Sequence, residues 1–352
     1  VLWVVVDGMG WLDHKALITY LTDNEALSLV CEPQPLFSIL PTKTEYAKWS
    51  LYSQCLPHCA PSNPTAGQGF KFENAKRYTD NQIDQLYKDL RRKTYPFYCW
   101  DTTELDELFH HHTDWQSLYN QERQRVLENI AKRIHHCLEE YPEPDTLQIV
   151  IASDHGQLMG VSAQMTNPPS NLTLQGRMAF GTTDDERFVV LDCDRYAIPE
   201  PISIVRGGGS LTAYSYTTNQ EIIGSHGGLF PEEVVVGYSV LCRQVSRSPV
   251  WARLSGDINI GNPGHLSLTI HNTNPVSLTN LQLWVEEIPA FQGIALSHFC
   301  RFIESQEQSI HIPISADIQL PTMLHDNQKQ ISVSGYVIFQ YAGTSESGKV
   351  SL

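Results

Sequence analysis

The chain is 352 residues long, 41% hydrophobic and 18% charged, with a formal net charge of −15. A chain of that size can bury two cores. No stretch approaches the ~20 consecutive apolar residues of a membrane helix, and none carries the basic excess of a nucleic-acid clamp. The acidic balance suits a site that concentrates metal cations.

Val1 opens a run, "LWVVVDG" (2–8), that reads as a buried strand and ends at Asp7, as buried parallel strands do. A chain that begins inside a core strand without Met is expected to be part of a longer protein, and no secretion leader is expected in it. "PLFSILP" (35–41) reads as a second buried strand, and "PTKTEYAKWSLYSQ" (41–54) as the turn and helix that follow. "DNQIDQLYKDLRRK" (80–93) places Ile83, Leu86, Tyr87 and Leu90 on one helical face. "TYPFYCW" (94–100) is a third strand. "QERQRVLENIAKRIHHCLEE" (121–140) is the clearest helix, with Val126, Ile130, Ile134 and Leu138 four residues apart. "LQIVIASDHG" (147–156) is a fourth strand, again ending in acid.

This alternation predicts an α/β layered domain with a mostly parallel sheet over residues 1–245. Within it, 161–222 reads as a cap-like insertion, with short antiparallel strands at "RFVVLD" (187–192) and "ISIVRGGGSLTAYSYT" (202–217). "GLFPEEVVVGYSVL" (228–241) returns to the core. A boundary falls around "RQVSRSPV" (243–250). Beyond it, over 250–352, apolar residues alternate at Leu266, Leu268 and Ile270, at Leu281, Leu283 and Val285, and at Ile310, Ile312 and Ile314. Turn signals such as "GNPG" and "NTNP" separate these runs. An all-β sandwich of immunoglobulin-like type is expected there, without the usual Cys…Trp…Cys. The eight cysteines are scattered, and only Cys55 and Cys59 lie close together. That usage predicts a reduced, cytoplasmic protein, in which the sequon Asn171-Leu172-Thr173 carries no weight.

Ligands in open α/β sheets bind outside the carboxyl ends of the strands. Acidic, imidazole and hydroxyl groups collect at such ends: Asp7 after "LWVVV", Thr44 after "LFSILP", Asp106 and His110 in "DELFHHH", Asp154 and His155 in "ASDHG", and His226 in "GSHGGL". Carboxylates and neutral imidazoles are ligands of zinc and similar divalent ions. Asp7, Asp106, His110, Asp154, His155 and His226 make six, or three for each metal of a two-metal centre with one position left on each. A threonine hydroxyl at one such position loses its proton readily and becomes a nucleophile. The helix opening near Thr44 offers free backbone N–H groups to an anion.

Each feature has a plainer reading. Asp7-Gly8 can be a simple turn. Asp106 and His110 can be a solvated helix pair, and His111 and His112 leave the assignment of His110 open by one or two positions. Thr44 can be a helix N-cap. Thr42 is its rival as nucleophile, and Thr44 is preferred because it sits where the helix opens. The joint pattern is far less probable by chance than any one member.

In these segments the sequence resembles the alkaline phosphatase superfamily and, within it, the PglZ-domain family. The matching parts span about residues 1–240: "VVVDGMGW", "LPTKTEYAKWSLYSQ", "DELFH", "IASDHGQLMG" and "SHGGLFPEEVVV". Their order is the superfamily's: Asp, then Ser or Thr nucleophile, then Asp-x3-His, then Asp-His, then His. "SHGGLFPEEVVV" is similar to the PglZ signature. "PTKT" is similar to the nucleotide pyrophosphatase/phosphodiesterase branch, in which the second Thr is the nucleophile.

The resemblance implies an alkaline-phosphatase-like fold. It implies one metal on Asp7, Thr44, Asp154 and His155, and another on Asp106, His110 and His226. It further implies two divalent ions, Zn2+ or alternatively Mn2+, and hydrolysis of phosphate esters through a phosphothreonine. Phosphodiesters of nucleotide or short oligonucleotide type are the expected substrates. Family members occur in bacterial anti-phage systems of the BREX kind, which implies protein partners of a defence complex and no membrane partner. The alternative is a phosphatase-like scaffold that binds such partners and does little chemistry. Sulfatases and phosphomutases share the superfamily arrangement, but "PTKT" lacks the sulfatase nucleophile motif and no sugar-phosphate pocket is recognisable. A monoesterase usually spends an Arg or Lys on the extra phosphate oxygen, and Arg177, Arg187 and Arg206 are the candidates in the insertion. The β-sandwich is expected to bind partners.

Overall fold

The structure is a computed structural model and describes all residues except 24–26, 67–68, 73, 112–113, 160–164, 167–168, 176, 207–209, 212–223, 260–261, 316–331, 343 and 345. The chain divides into two compact units, one of 1–21 and 33–243, the other of 22–32 and 244–352.

In the first unit the apolar run after Val1 forms β1 (Leu2–Val6), every residue of it buried. It is followed by α1 (Trp11–Thr22), β2 (Gln34–Phe37), α2 (Thr44–Ser53), β3 (Ala75–Thr79), α3 (Ile83–Arg91), β4 (Phe97–Thr102), α4 (Glu104–His111), α5 (Arg123–Glu140), β5 (Ile149–Ala152) and β6 (Val235–Cys242). The sheet runs β6-β5-β1-β4-β3, with β2 paired to β6. Neighbours from β5 to β3 are parallel, and β6 is antiparallel to β5 and to β2. This is the layered α/β architecture with a mostly parallel sheet. Of the helical stripe expected over 121–140, Ile130, Ile134 and Leu138 are buried on α5, while Val126 is half-buried and its neighbour Leu127 takes the buried place. Among the described residues no helix is long and apolar enough to cross a membrane.

The run "PLFSILP" departs from expectation. Its strand is short, Gln34–Phe37, and all four residues are exposed, Phe37 by 83%. An apolar run resembles a central strand, but β2 has only β6 beside it and sits at the rim. Leu40, past the strand's end, is the part that packs, against a cluster of Met178, Leu191, Ile198, Ile202 and Ile204. Those residues belong to the insertion, whose four short strands run Thr173–Gln175, Met178–Phe180, Ile202–Val205, Phe188–Leu191, all antiparallel. The parts of the predicted insertion at 161–164 and 212–222 lie outside the described residues.

The second unit holds two antiparallel sheets, one of Trp251–Asn259, Asn262–His271 and Glu307–Ile314. The other is built on Leu278–Val285 and Gly335–Tyr341. Burial alternates along these strands as period-two patterning requires, with Leu266, Leu268 and Ile270 inside, and Leu281, Leu283 and Val285 inside. Residues 22–32 join this unit through hydrogen bonds from Ser277 N to Glu32 and from Arg247 Nη2 to the Leu29 carbonyl.

The helix that follows Asp7 is fixed by an unusual contact. His14 is fully buried, its Nε2 lies 2.7 Å from Ser239 Oγ on β6, and Gly237 leaves its ring room, since a Cβ there would sit 2.0 Å from His14 Cγ. Burial pushes the imidazole from 6.5 down to about 4, so it is neutral in the folded protein. The unfolded chain takes up a proton below pH 6.5. Stability from this group is therefore complete above that pH and is lost as pH falls toward 4. Urea unfolding at pH 7.5 and 4.5 should show the pH-dependent loss shrinking by about 2–3 kcal/mol in His14→Gln. An equal loss in both proteins would contradict this.

Candidate metal centre

Strand register brings the first group together. Val5 of β1 lies opposite Ala152 of β5 and Asp101 of β4. Asp7 and Asp154 each stand two residues beyond that paired level, so both leave the sheet at its carboxyl edge on the same side. Gly8 takes φ +72° there, a conformation that glycine adopts without strain. Gly8 N donates to Asp154 Oδ1 at 3.4 Å, and Met9 N to Ser153 Oγ at 3.1 Å. Asp7, Asp154 and His155 are all buried, and each offers an atom within 4.8 Å of the others. His155 Nε2 is 3.4 Å from Asp7 Oδ1 and 3.7 Å from Asp154 Oδ2. Thr44 Oγ1 lies 3.3 Å from the same nitrogen.

The second group is assembled from farther along the chain. Asp106 and His110 are four residues apart on α4, hence on one helical face, with Oδ2 and Nε2 3.4 Å apart. Gly224–Ser225 pairs with Leu158–Met159, directly after the Asp154-His155 segment. That pairing delivers His226, whose Nε2 is 3.2 Å from His110 Nε2 and 3.8 Å from Asp106 Oδ1. Gln157 Nε2 also donates to Asp106 Oδ1. The two groups adjoin, since the rings of His155 and His226 stack with centroids 4.2 Å apart. The third histidine of the run, His112, lies outside the described residues, and it is His110 that the structure sets beside Asp106.

These atoms fit divalent cations. Asp7 Oδ1 and Asp154 Oδ2 are buried and have no hydrogen-bond partner among the described residues, although buried polar atoms are nearly always satisfied. His155 Nδ1 donates to the Gly156 carbonyl at 3.0 Å and His226 Nδ1 to the Thr42 carbonyl at 2.9 Å. Each bond places a proton on Nδ1, so that the neutral imidazole carries its lone pair on Nε2, as metal-ligating histidines require. Burial and the neighbouring Asp154 push Asp7 up to about 7. Burial also opposes ionisation of Asp106, but its hydrogen bond with His110 and the nearby imidazoles win and hold it near 2. Burial and His155 press His226 down to about 3. A cation between these groups favours the ionised carboxylates and neutral imidazoles together.

Thr42 and Thr44 have different surroundings. Thr42 is fully buried, and its hydroxyl donates to the Gly228 carbonyl and accepts from Gly227 N, both at 3.0 Å. Its oxygen is thus occupied in holding a loop. Thr44 opens α2 and faces His155.

No family model matches the chain, and no curated protein matches it. Solved structures do. Phosphonoacetate hydrolase from Sinorhizobium meliloti 1021 superposes with a TM-score of 0.51 at 14% identity, over 70% of this chain and 90% of that one. Human ectonucleotide pyrophosphatase/phosphodiesterase 5 gives 0.51 at 12% identity, over 68% of this chain and 87% of that one. The murine protein gives 0.50 at 9% identity, over 68% and 87%, and one of its structures is an inactive threonine-to-alanine variant in complex with AMP. The fold is alkaline-phosphatase-like.

Several residues around this site escape sequence reasoning. Lys48, one helical turn beyond Thr44, is buried with Nζ 2.5 Å from Asp7 Oδ2 and 3.0 Å from Asp101 Oδ1. Burial opposes its charge, but Asp7, Asp154 and Asp101 raise its pKa. The ammonium takes one oxygen of Asp7 and leaves Oδ1 toward His155. Only the i, i+4 spacing from Thr44 hints at this in the sequence. The three arginines weighed for a phosphate oxygen are engaged elsewhere. Arg177 is fully buried against Glu233, Arg187 is paired with Asp185, and Arg206 Nε donates to the Phe188 carbonyl at 3.2 Å.

Lys48→Met removes the only lysine contact of the buried Asp7 among the described residues and leaves Asp101 with Arg77 Nε at 3.7 Å. It should cost about 3–5 kcal/mol in denaturant unfolding with a chelator present. A loss below about 1 kcal/mol would show that the ammonium is not their main partner.

Proposed function

We propose that the protein is a phosphoesterase that uses two divalent metal ions and Thr44 as nucleophile, acting on phosphodiesters of nucleotide or oligonucleotide type. The observation that carries this reading is the convergence of three atoms on His155 Nε2: Thr44 Oγ1, Asp7 Oδ1 and Asp154 Oδ2. The Asp106, His110 and His226 group adjoins them.

Asp7, Asp154, His155 and Thr44 would hold one ion, and Asp106, His110 and His226 the other. The mixed carboxylate and imidazole donors favour Zn2+, with Mn2+ the alternative. Bound there, the ions would supply Lewis-acid stabilisation of the deprotonated threonine and of the charge on the phosphoryl oxygens. The chain's own part is positioning. Thr44 Oγ1, its proton given up to solvent, would form a bond to phosphorus as the bond from phosphorus to one ester oxygen breaks; that oxygen leaves and takes a proton from water, and the second ester stays on the phosphothreonine. Water then hydrolyses the phosphothreonine and returns the hydroxyl. At the start of α2, Tyr46 N and Ala47 N donate to the Lys43 carbonyl at 3.0 and 2.8 Å, which leaves the N–H groups of Thr44 and Glu45 for a phosphoryl oxygen.

The fold shared with two kinds of phosphorus-acting hydrolase supports the reaction class, and the inactive threonine variant of the murine protein supports a threonine in this role. The engagement of Arg177, Arg187 and Arg206 by other groups favours diesters over monoesters. The PglZ reading, with its place in anti-phage defence and its protein partners, rests on "SHGGLFPEEVVV" (225–236). The scattered positions of the eight cysteines support a reducing, cytoplasmic setting.

Hydrolysis of bis(4-nitrophenyl) phosphate tests the proposal. Chelation should abolish turnover, and Zn2+ or Mn2+ should restore it. Thr44→Ala should lower kcat by on the order of 10³ or more with an unchanged circular dichroism spectrum. Wild-type turnover in Thr44→Ala would remove the nucleophile assignment.

A further inference from the structure

We propose that Arg177 of the insertion and Glu233 are positioning residues: their buried pair holds His226 and Thr42 in place and so sets the affinity of the ion position formed by Asp106, His110 and His226. The inference rests on the two-ion reading above.

Both side chains are 0% exposed. Arg177 Nε donates to Glu233 Oε1 at 2.8 Å and Nη2 to Oε2 at 3.2 Å, the two-pronged geometry that fixes direction as well as distance. Each carboxylate oxygen has a second duty. Oε1 accepts from Gly228 N at 2.8 Å and Oε2 from Phe230 N at 3.1 Å. The loop from His226 to Phe230 is thus held at two of its amides by one carboxylate. Gly228 is hemmed in, because a Cβ there would meet Glu233 Oε2 at 2.3 Å and Arg177 Nε at 2.6 Å.

From that loop the bonds lead straight to the site. The Gly228 carbonyl accepts from Thr42 Oγ1, and Gly227 N donates back to the same oxygen. The Thr42 carbonyl accepts from His226 Nδ1. Thr42 is also two residues from Thr44. On the other side, Arg177 is anchored in the insertion, its carbonyl accepting from Val205 N at 3.3 Å.

An ion pair this deep adds little net stability, since well-packed apolar residues often replace such pairs at no loss. What apolar residues cannot do is hold the Gly228 and Phe230 amides, and through them the direction of His226. Loss of such an outer contact to a metal-ligating histidine typically costs about 10–100-fold in metal affinity.

The test is calorimetric titration of Zn2+ into chelator-stripped full chain, with circular dichroism and thermal unfolding alongside. Wild type should bind two ions. Glu233→Gln should keep one affinity and weaken the other by about 10–100-fold, and Arg177→Lys should fall between. The double variant Arg177→Met with Glu233→Leu should recover the unfolding temperature without recovering the weak ion, a split that a purely structural pair would not produce. Thr42→Val cuts the same route while leaving the ion pair intact, so it gives the answer if Glu233→Gln does not fold, and it should weaken the same ion. Folded variants that bind both ions like wild type would overturn the inference alone. A wild type that does not bind two ions would overturn the phosphoesterase reading and this inference with it.

Discussion

Three carboxylates cannot stay ionised side by side in a protein interior without a counter-charge. Asp7, Asp106 and Asp154 are set close together at the carboxyl edge of a mostly parallel sheet, with His110, His155 and His226 among them. Two oxygens of this group are buried and unsatisfied. Lys48 neutralises one face of Asp7, together with Asp101, and leaves the other face open. Two divalent ions would resolve the remaining imbalance, and the histidine tautomers fixed by Gly156 and Thr42 are the ones that ions need.

The sheet explains why these groups meet. In neighbouring parallel strands, residues equally far past a paired level emerge side by side, so β1 and β5 deliver Asp7 and Asp154 without any help from the loops. α4 then adds two candidate ligands, Asp106 and His110, at one helical spacing. His226 is the exception, because it comes after the insertion and depends on a loop. That loop is also where a fully buried arginine, a glutamate and two glycine amides are spent. Gly156 shows how tightly this edge is packed, since a Cβ there would lie 2.0 Å from the Glu232 carbonyl oxygen.

Much of this was legible in the sequence, for a physical reason. Apolar runs that end in acid mark strand ends, and strand ends of a parallel sheet share an edge, so Asp7, Asp154 and His155 could be placed at one edge from the sequence, while their division from Asp106, His110 and His226 came from the resemblance. Asp106 and His110 were readable as a helical pair, but not which of three consecutive histidines takes part, because that depends on helix phase against a distant partner. The sequence preferred Thr44 to Thr42 from the helix start alone, whereas the hydrogen bonds that occupy the Thr42 hydroxyl reach a loop some 185 residues away and could not be read. The buried pairings of Lys48 with Asp7 and of Arg177 with Glu233 were not readable, since burial of a charge is a property of what folds over it. β2 misled because apolar composition does not report how many strands flank a strand, and residues 22–32 carry no mark of the unit they join.

The most direct measurement is an anomalous difference map from crystals of the full chain equilibrated with Zn2+. The account predicts two peaks about 4 Å apart, one among Asp7, Asp154 and His155 beside Thr44 Oγ1, the other among Asp106, His110 and His226. No peak at either place, or ions bound only at surface histidines, would contradict it.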